Sequence, residues 1–419
     1  MMFSFLFALA VAAMLACKLW LAQRQVRHVA AHRDAVPARF AEKIALSSHQ
    51  RAADYTVAGT RLGMLEAAVG VLALLIMTLG GGVGALHQGL LALLGPGLVQ
   101  QIALVAAVIA IMGLVDLPFD YARHFVIEER FGFNRMTRRL FFLDGLKGLL
   151  LSALVGVPLL AAVLWLMARA GAAWWLYAWL LWIGFNAIAL WLFPTVIAPL
   201  FNKFQPLDDQ GLRQRIDALL SRCGFAAKGV FVMDGSRRSA HGNAYFTGFG
   251  RSKRIVFFDT LLARLNGDEI EAVLAHELGH FKRRHIVKRL ATSFALSLAL
   301  LALLGWLARQ DWFYTGLHAL PSAPAGYAGL EGLALVLFFL ALPVFTFFLG
   351  PLGAQTSRRH EFEADAFAAQ NANPDDLVNA LVKLYQDNAS TLTPDPVYTA
   401  FYYSHPPATE RIGRLLKAA

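Results

Sequence analysis

The chain has 419 residues, of which 57% are hydrophobic and 16% are charged, and its formal net charge is +10. Soluble domains are about 45–50% apolar and about 25% charged, so this composition excludes both an ordinary soluble protein and a disordered one. The two cysteines, Cys17 and Cys223, exclude a disulfide scaffold and a cysteine-based metal cluster. The sequence therefore predicts a polytopic membrane protein in which any metal site uses histidines and carboxylates.

Seven stretches are apolar enough to cross the hydrocarbon core of a bilayer, which takes about 20 residues per helix. In chain order they are 2–22, 62–86, 102–118, 148–168, 173–193, 290–308 and 330–350. Residues 90–99 are also apolar, but Gly95, Pro96 and Gly97 interrupt them. We expect a loop or a re-entrant piece there.

Basic residues alternate in density between successive connections. The segments after the first, third, fifth and seventh spans are rich in Lys and Arg, whereas the second connection has none and the fourth and sixth contain only Arg169 and Arg309. Because positive residues favour the cytosolic side, we expect an external N-terminus and cytosolic odd-numbered connections. Most of the positive charge then faces anionic lipid. Nucleic acid is not predicted as a partner, because the sequence contains no module of interleaved basic and aromatic residues.

The segment 201–289 is polar enough to fold in water, and its second half predicts one helix over 267–290. Asp268 and Glu271 resemble a capping box at its start. On a straight helix of this length, His285 would point away from the face that carries His276. A hydrogen-bonded structural role is therefore the expected one for His285.

Residues 276–280 read HELGH, which is an HExxH motif. Positions i and i+4 lie on one face of a helix, so His276 and His280 can bind the same zinc ion. Glu277 then lies beside the ion, where it can accept a proton from the attacking water. A pair of surface histidines is the alternative explanation for this motif.

The second polar segment, 351–419, contains RRHEFEADAF at 358–367. A catalytic zinc ion takes three protein ligands, commonly two histidines and a glutamate. Glu361 and Asp365 lie four residues apart on one helix face, so one carboxylate can bind the metal while the other holds a ligand histidine. Glu363 lies about 200° around the helix from Glu361, which predicts a solvated or interhelical charge.

Several further segments carry a resemblance to a known family. They read IEERFGFNRMT at 127–137, FPTVIAPLFN at 193–202, SRRSAHGNAYF at 236–246, RIVFFDT at 254–260 and YSHPP at 403–407, followed by Glu410 and Arg411. With the HExxH helix, they make the chain resemble the type I, zinc-dependent, integral-membrane CAAX prenyl endopeptidases from about residue 120 to its end. The abundance of Ala, Leu and Arg is typical of a bacterial member.

The resemblance implies a mainly α integral membrane fold, in which seven transmembrane helices enclose a chamber and a cytosolic HExxH metalloprotease domain carries a small β-sheet. It implies five transmembrane helices with basic cytosolic loops in 1–200 and the zinc-protease domain in 201–289. Transmembrane helices six and seven would lie in 290–350. The cytosolic tail, 351–419, would supply the third zinc ligand and substrate-site residues.

The same resemblance implies roles for individual residues. One Zn²⁺ ion per chain would be bound by His276, His280 and Glu361, with Glu277 as the general base. Asp365 would orient a ligand histidine.

Substrate-site residues follow from the resemblance too. Asn243, Ala244 and Tyr245 would bind the substrate backbone, and His405 and Arg411 would line the catalytic site. Residues 242–246 and 255–258 are strand-like, and an exposed sheet edge can pair with an extended peptide. Arg411 or His405 would stabilise the developing oxyanion. On the residues alone, Asn243 as a turn former and His405 as a helix end remain open alternatives.

The sequence thus predicts a membrane-embedded zinc endopeptidase, a hydrolase that cleaves near the C-terminus of prenylated CAAX or similar peptides. It would lie in the lipid bilayer as a multi-pass protein of the cell membrane, which is the inner membrane if the source is Gram-negative. One alternative is a quality-control metalloprotease that acts on membrane proteins. Another is a non-catalytic chamber or transporter, which an open three-ligand zinc site disfavours.

Overall fold

The computed structural model describes residues 2–225, 229–247, 254–323 and 326–418, and they are mainly helical. Seven of the described helices are long and apolar enough to cross a membrane. They span Met2–Ala31, Leu46–Met77, Leu98–Glu128, Arg138–Arg169, Gly171–Phe201, His285–Leu307 and Glu331–Asn371. The predicted number of apolar spans is confirmed.

The α-helices and strands follow in chain order. The helices are α1 (Met2–Ala31), α2 (Leu46–Met77), α3 (Gly82–Leu94), α4 (Leu98–Ala122), α5 (Arg138–Arg169), α6 (Trp174–Leu192), α7 (Ala198–Phe201), α8 (Gln210–Arg222), α9 (Asp259–Leu262), α10 (Gly267–Lys282), α11 (His285–Leu307), α12 (Asp311–Gly316), α13 (Glu331–Thr346), α14 (Gly350–Asn371), α15 (Pro374–Asp387), α16 (Pro396–Tyr402) and α17 (Ala408–Ala418). The strands are β1 (Phe204–Pro206), β2 (Gly229–Met233), β3 (Ala244–Thr247) and β4 (Arg254–Phe258).

The second membrane helix differs from its prediction. Helix α2 ends at Met77, and Gly81 follows in the left-handed conformation with a φ of 77°. Glycine reaches this conformation without a steric penalty, so the chain turns here and does not continue to residue 86. Residues 90–94 belong to α3 and residues 98 and 99 to α4, so a loop over the whole of 90–99 is wrong, while the re-entrant alternative stays a prediction. The break itself falls at Gly95, as the sequence indicated.

A cavity of about 770 Å³ lies between the membrane helices, with walls from α1, α2, α4, α13 and α16. Glu66 and Arg123 line it, and Arg123 Nη2 lies 2.7 Å from Glu66 Oε2. An ionisable side chain in a membrane helix is costly unless it meets water or a partner. The ion pair therefore lets α2 carry a carboxylate that faces this cavity.

The polar segments form a mixed four-stranded sheet with helices packed against it. The strand order is β1-β2-β4-β3, in which β2 pairs parallel to β4 and the other pairs are antiparallel. Strand β3 is therefore an edge strand. One hydrophobic core unites both polar segments, since it contains Ile216 of α8, Phe257 of β4, Leu274 of α10 and Leu381 of α15.

Helix α10 is shorter than predicted. The capping box that begins it is formed by Asn266 and Glu269, not by Asp268 and Glu271. The helix ends at Lys282 because Arg284 adopts a φ of 56°, after which α11 starts in a new direction. The single helix expected over 267–290 is therefore two helices. A non-glycine residue in this conformation costs about 1–2 kcal/mol, so contacts around the corner must offset that strain.

Helices α10 and α14 approach each other closely at Gly279. A Cβ atom built on Gly279 would lie 2.9 Å from the Cα of Ala364 and 3.0 Å from its carbonyl oxygen. Such distances leave no room for a methyl group between the two backbones. The glycine of the HExxH motif therefore sets the spacing of the two helices.

We predict that Gly279→Ala pushes α10 and α14 apart and lowers the free energy of unfolding by about 1–3 kcal/mol, as overpacking of a filled contact does. The midpoint of thermal denaturation in detergent measures this. Gly353→Ala on α14 is the matched control, because beyond its chain neighbours and the adjacent backbone of α14 no described atom lies within 4 Å of its built Cβ. An unchanged midpoint for Gly279→Ala would contradict the close packing.

Candidate active site

The packing of α10 against α14 brings three predicted ligands together. Ligand atoms of His276, His280 and Glu361 all lie within 4.8 Å of one another. The Nε2 atoms of His276 and His280 lie 3.5 and 3.3 Å from the carboxylate oxygens of Glu361. Two donors therefore come from one helix at i and i+4 spacing, and the third comes from a helix about 80 residues later in the chain.

The donor set fits a divalent metal ion. Oε2 of Glu361 is buried and has no hydrogen-bond partner among the described residues. The Nε2 atoms of His276 and His280 lie only 3.2 Å apart. Two unprotonated imidazole nitrogens at that distance repel each other unless a positive charge lies between them, and an orphaned carboxylate oxygen has the same need.

Asp365 and Arg411 fix the orientation of His276 from the other side. Nδ1 of His276 lies 2.8 Å from Oδ1 of Asp365, which accepts its proton and leaves Nε2 with a free lone pair. Asp365 in turn accepts two hydrogen bonds from Arg411, at 2.9 and 2.6 Å. All three side chains are buried. The predicted i, i+4 pair, Glu361 and Asp365, thus contacts His276 through both of its nitrogens.

The electrostatic field at His276 favours positive charge. Burial and the Arg411 cation lower the pKa of His276, but the neighbouring carboxylates of Asp365 and Glu361 outweigh both and raise the pKa to about 9. A field that retains a proton at this position also attracts a metal cation.

His280 is oriented by a side chain that the sequence placed on the wrong face. Its Nδ1 atom lies 3.0 Å from Nδ1 of His285, and Nε2 of His285 lies 3.0 Å from Oε2 of Glu363. Glu363 holds the proton of His285 on Nε2, so Nδ1 of His285 accepts from His280 and the Nε2 lone pair of His280 is free. Glu363 is the interhelical charge that the sequence predicted. His285 reaches this position only because the chain turns at Arg284.

A cavity of about 350 Å³ opens onto these side chains. Glu277 lines it beside His276 and His280, and another wall is formed by Asn243 together with Ala244 and Tyr245 of the edge strand β3. Oδ1 of Asn243 accepts a hydrogen bond from the backbone N–H of Ala244 at 2.8 Å. The sheet edge and the three donors therefore face one space.

The C-terminal segment closes this cavity with two predicted residues. Arg411 is buried at its inner wall, whereas the imidazole of His405 is largely exposed and lies 3.5 Å from Oε1 of Glu361. Partial desolvation lowers the pKa of His405 despite the neighbouring Glu361 carboxylate. His405 is therefore neutral at pH 7 and can donate or accept a hydrogen bond.

Residues 127–137 form one of the segments that carry the family resemblance, and they contact the chain just before β3. Glu128 accepts a hydrogen bond from Tyr55 on α2, and its other oxygen lies 3.4 Å from Nε2 of His241. The ring of His241 stacks on Phe133 with their centroids 4.5 Å apart. Burial lowers the pKa of His241, but its hydrogen bond to Glu128 raises it above the ordinary value. These contacts tie a membrane helix to the strand that faces the cavity.

The chain is similar to known families and to a solved structure. A family model described as CAAX prenyl protease N-terminal, five membrane helices, matches residues 25–203, and the model of peptidase family M48 matches residues 206–419. The chain is 38% identical over 323 residues to CAAX prenyl protease 1 homolog of Arabidopsis thaliana, and this alignment covers 75% of this chain and 73% of the relative. Identity to CAAX prenyl protease 1 of Saccharomyces cerevisiae is 36%, over 75% of this chain and 72% of the relative. The crystal structure of S. mikatae Ste24p aligns over 99% of both chains, with a TM-score of 0.91 and 29% sequence identity.

We predict that His285→Ala weakens metal affinity by about 10–100-fold, because His280 loses the partner that fixes its tautomer. Competition between the protein and a chelator for zinc measures the affinity. His360→Ala is the matched control, since the His360 ring only stacks on His285, at a centroid distance of 4.0 Å, and makes no hydrogen bond to His280 in the described residues. Equal affinity in both variants would show that the relay through His285 does not matter.

Proposed function

The chain belongs to the M48 metallopeptidase family of CAAX prenyl proteases, and we propose that it cleaves prenylated CAAX or similar peptides near their C-terminus as a membrane-embedded zinc endopeptidase. It is a multi-pass membrane metalloprotease. One observation carries the proposed chemistry: His276, His280, Glu361 and Glu277 face the same cavity as an edge strand. That cavity combines a metal donor set, a base and a backbone template in one place.

Zinc is the metal we propose. Two histidines and one glutamate are a common ligand set of catalytic zinc, and they leave a coordination position open for substrate. His276, His280 and Glu361 would hold the ion. When bound, it supplies a Lewis acid that polarises the scissile carbonyl and lowers the pKa of water.

The side chains of this protein perform the remaining steps. Glu277 accepts a proton from the attacking water and passes it to the leaving amine, which requires a base within hydrogen-bond reach of both. Arg411 holds Asp365 with two of its nitrogens, while Nη1, 3.7 Å from Glu361, is directed toward the donor cluster. Arg411 and His405 would stabilise the negative charge that develops on the carbonyl oxygen.

Strand β3 supplies the substrate template. An extended peptide that adds to this edge would hydrogen-bond along Asn243, Ala244 and Tyr245 and carry its scissile bond past Glu277. Backbone pairing is largely independent of side chains. The cavity walls beyond the strand would therefore determine the specificity for peptide sequence.

The protease side of the molecule would lie in the cytosol. Basic residues concentrate in alternate connections, and positive connections favour the cytosolic side. We propose that the segments 201–289 and 351–419 form one cytosolic protease domain, with five spans before it and two between its halves. The N-terminus would lie outside the cell.

We predict that the purified protein hydrolyses a farnesylated CAAX peptide and that Glu277→Gln lowers the rate by about 10²–10⁴-fold, the usual contribution of a general base. Zinc content should stay at the wild-type level, because Glu277 is not in the donor set. Chromatographic detection of the released C-terminal fragment measures the rate. His276→Ala is the comparison that should lose both metal and activity. Full activity in Glu277→Gln would refute the mechanism.

We also predict the orientation. In a variant without native cysteines, Ser322→Cys in the sixth connection should react with a membrane-impermeant maleimide added to intact cells. Gln214→Cys on α8 should react only after the cells are permeabilised. Both positions are exposed, so a difference reports the side of the membrane. The reverse labelling pattern would invert the proposed topology.

A further inference from the structure

Arg289 lines the catalytic cavity, and nothing in the proposed mechanism uses it. It lies on α11, four residues after His285, so both side chains project from the same face of the helix. Arg289 is exposed, and it forms no hydrogen bond or ion pair with any residue that the structure describes. A guanidinium group with this environment is available to an anion that enters the cavity.

The carboxylates of the donor cluster lie against side chains other than Arg289. Arg411 binds Asp365, and the imidazoles of His276, His280 and His405 surround Glu361. Among the described residues, Arg289 forms no ion pair with Glu361 or Asp365, nor with Glu277 in the same cavity. Arg289 is left as a cation whose counterion must come from outside this cluster.

The proposed substrate carries such an anion. In a CAAX chain, the prenylated cysteine is followed by three residues and the free C-terminal carboxylate. If the bond after the cysteine is cleaved, an extended segment of three residues places that carboxylate about 10 Å beyond the reacting carbonyl. Arg289 lies four residues after His285, which is about 6 Å further along the axis of α11, and its long side chain extends beyond that.

We propose that Arg289 binds the C-terminal carboxylate of the substrate and thereby sets how far from the chain end the protein cuts. This inference rests on the proposed function. The planar guanidinium group matches a carboxylate with two parallel hydrogen bonds, which gives it both affinity and direction. Strand β3 would then align the peptide backbone, while Arg289 fixes its end.

The adjacent residue provides a matched control. Lys288 carries the same charge but lies outside the catalytic cavity, in a groove with Arg359 and Glu363. Its Nζ atom lies 3.9 Å from Oε2 of Glu363. Neutralising Lys288 changes the net charge as much as neutralising Arg289 does, without changing the cavity.

The test compares two farnesylated peptides that differ only at the C-terminus, one ending in a carboxylate and the other in an amide. We expect the wild-type protein to cleave the acid with a kcat/KM about 10–100-fold higher than the amide, the usual range for one charged hydrogen-bonded contact. Arg289→Gln should lower kcat/KM for the acid by a similar factor and leave the amide rate unchanged. The unchanged amide rate also reports that this variant is folded and holds metal. Lys288→Gln should keep the wild-type preference.

Two results would overturn the carboxylate site. Equal cleavage of acid and amide by the wild-type protein would mean that the chain end is not recognised. A loss of activity on both peptides in Arg289→Gln, with the acid preference kept, would give Arg289 a structural or lipid-binding role instead. Cleavage of neither peptide by the zinc-loaded wild-type protein would refute the proposed function itself.

Discussion

The contact between α10 and α14 is the constraint on which the site depends. Helix α10 supplies two imidazoles and α14 supplies two carboxylates, so a small change in the distance between these helices would separate the donors. Gly279 makes the approach possible, since its missing side chain lets the backbone of Ala364 come within contact distance. The glycine at the fourth position of the motif is therefore a packing requirement, whereas the two histidines and the glutamate carry the chemistry.

The charges around the donors are compensated by two chains of hydrogen-bonded side chains and not by isolated pairs. One chain runs from His276 through Asp365 to Arg411, and the other runs from His280 through His285 to Glu363. Each chain keeps the ring proton of one imidazole on Nδ1 and leaves its Nε2 atom unprotonated. The Nε2 lone pairs of His276 and His280 therefore point to the same place. In a buried environment an unpaired charge or polar group is costly, and these chains provide the partners that keep the cluster stable.

Side-chain contacts and a shared helix connect the membrane helices to the walls of the catalytic cavity. Glu128 at the end of the third span accepts a hydrogen bond from Tyr55 of α2 and contacts His241, which lies three residues before β3 begins at Ala244. On the other side, α11 carries His285 and Arg289 at the point where it enters its apolar stretch. The cavity walls are thus attached to two different membrane helices, which fixes them relative to the bilayer that would contain a lipid-modified substrate.

Local periodicity accounts for what the sequence determined. The seven apolar spans, the i and i+4 histidines and the Glu361–Asp365 pair each depend on residues close together in the chain, so their geometry follows from helical repeat alone. The turn at Arg284 does not, because Arg283 and Arg284 are good helix formers and no glycine or proline marks the break. Tertiary contacts offset the strain of that corner, and only the corner brings His285 to His280 and Arg289 to the cavity. The tertiary structure also decided that Glu128 meets His241, since these residues lie more than 100 positions apart in the sequence and a sequence pattern does not encode such a meeting.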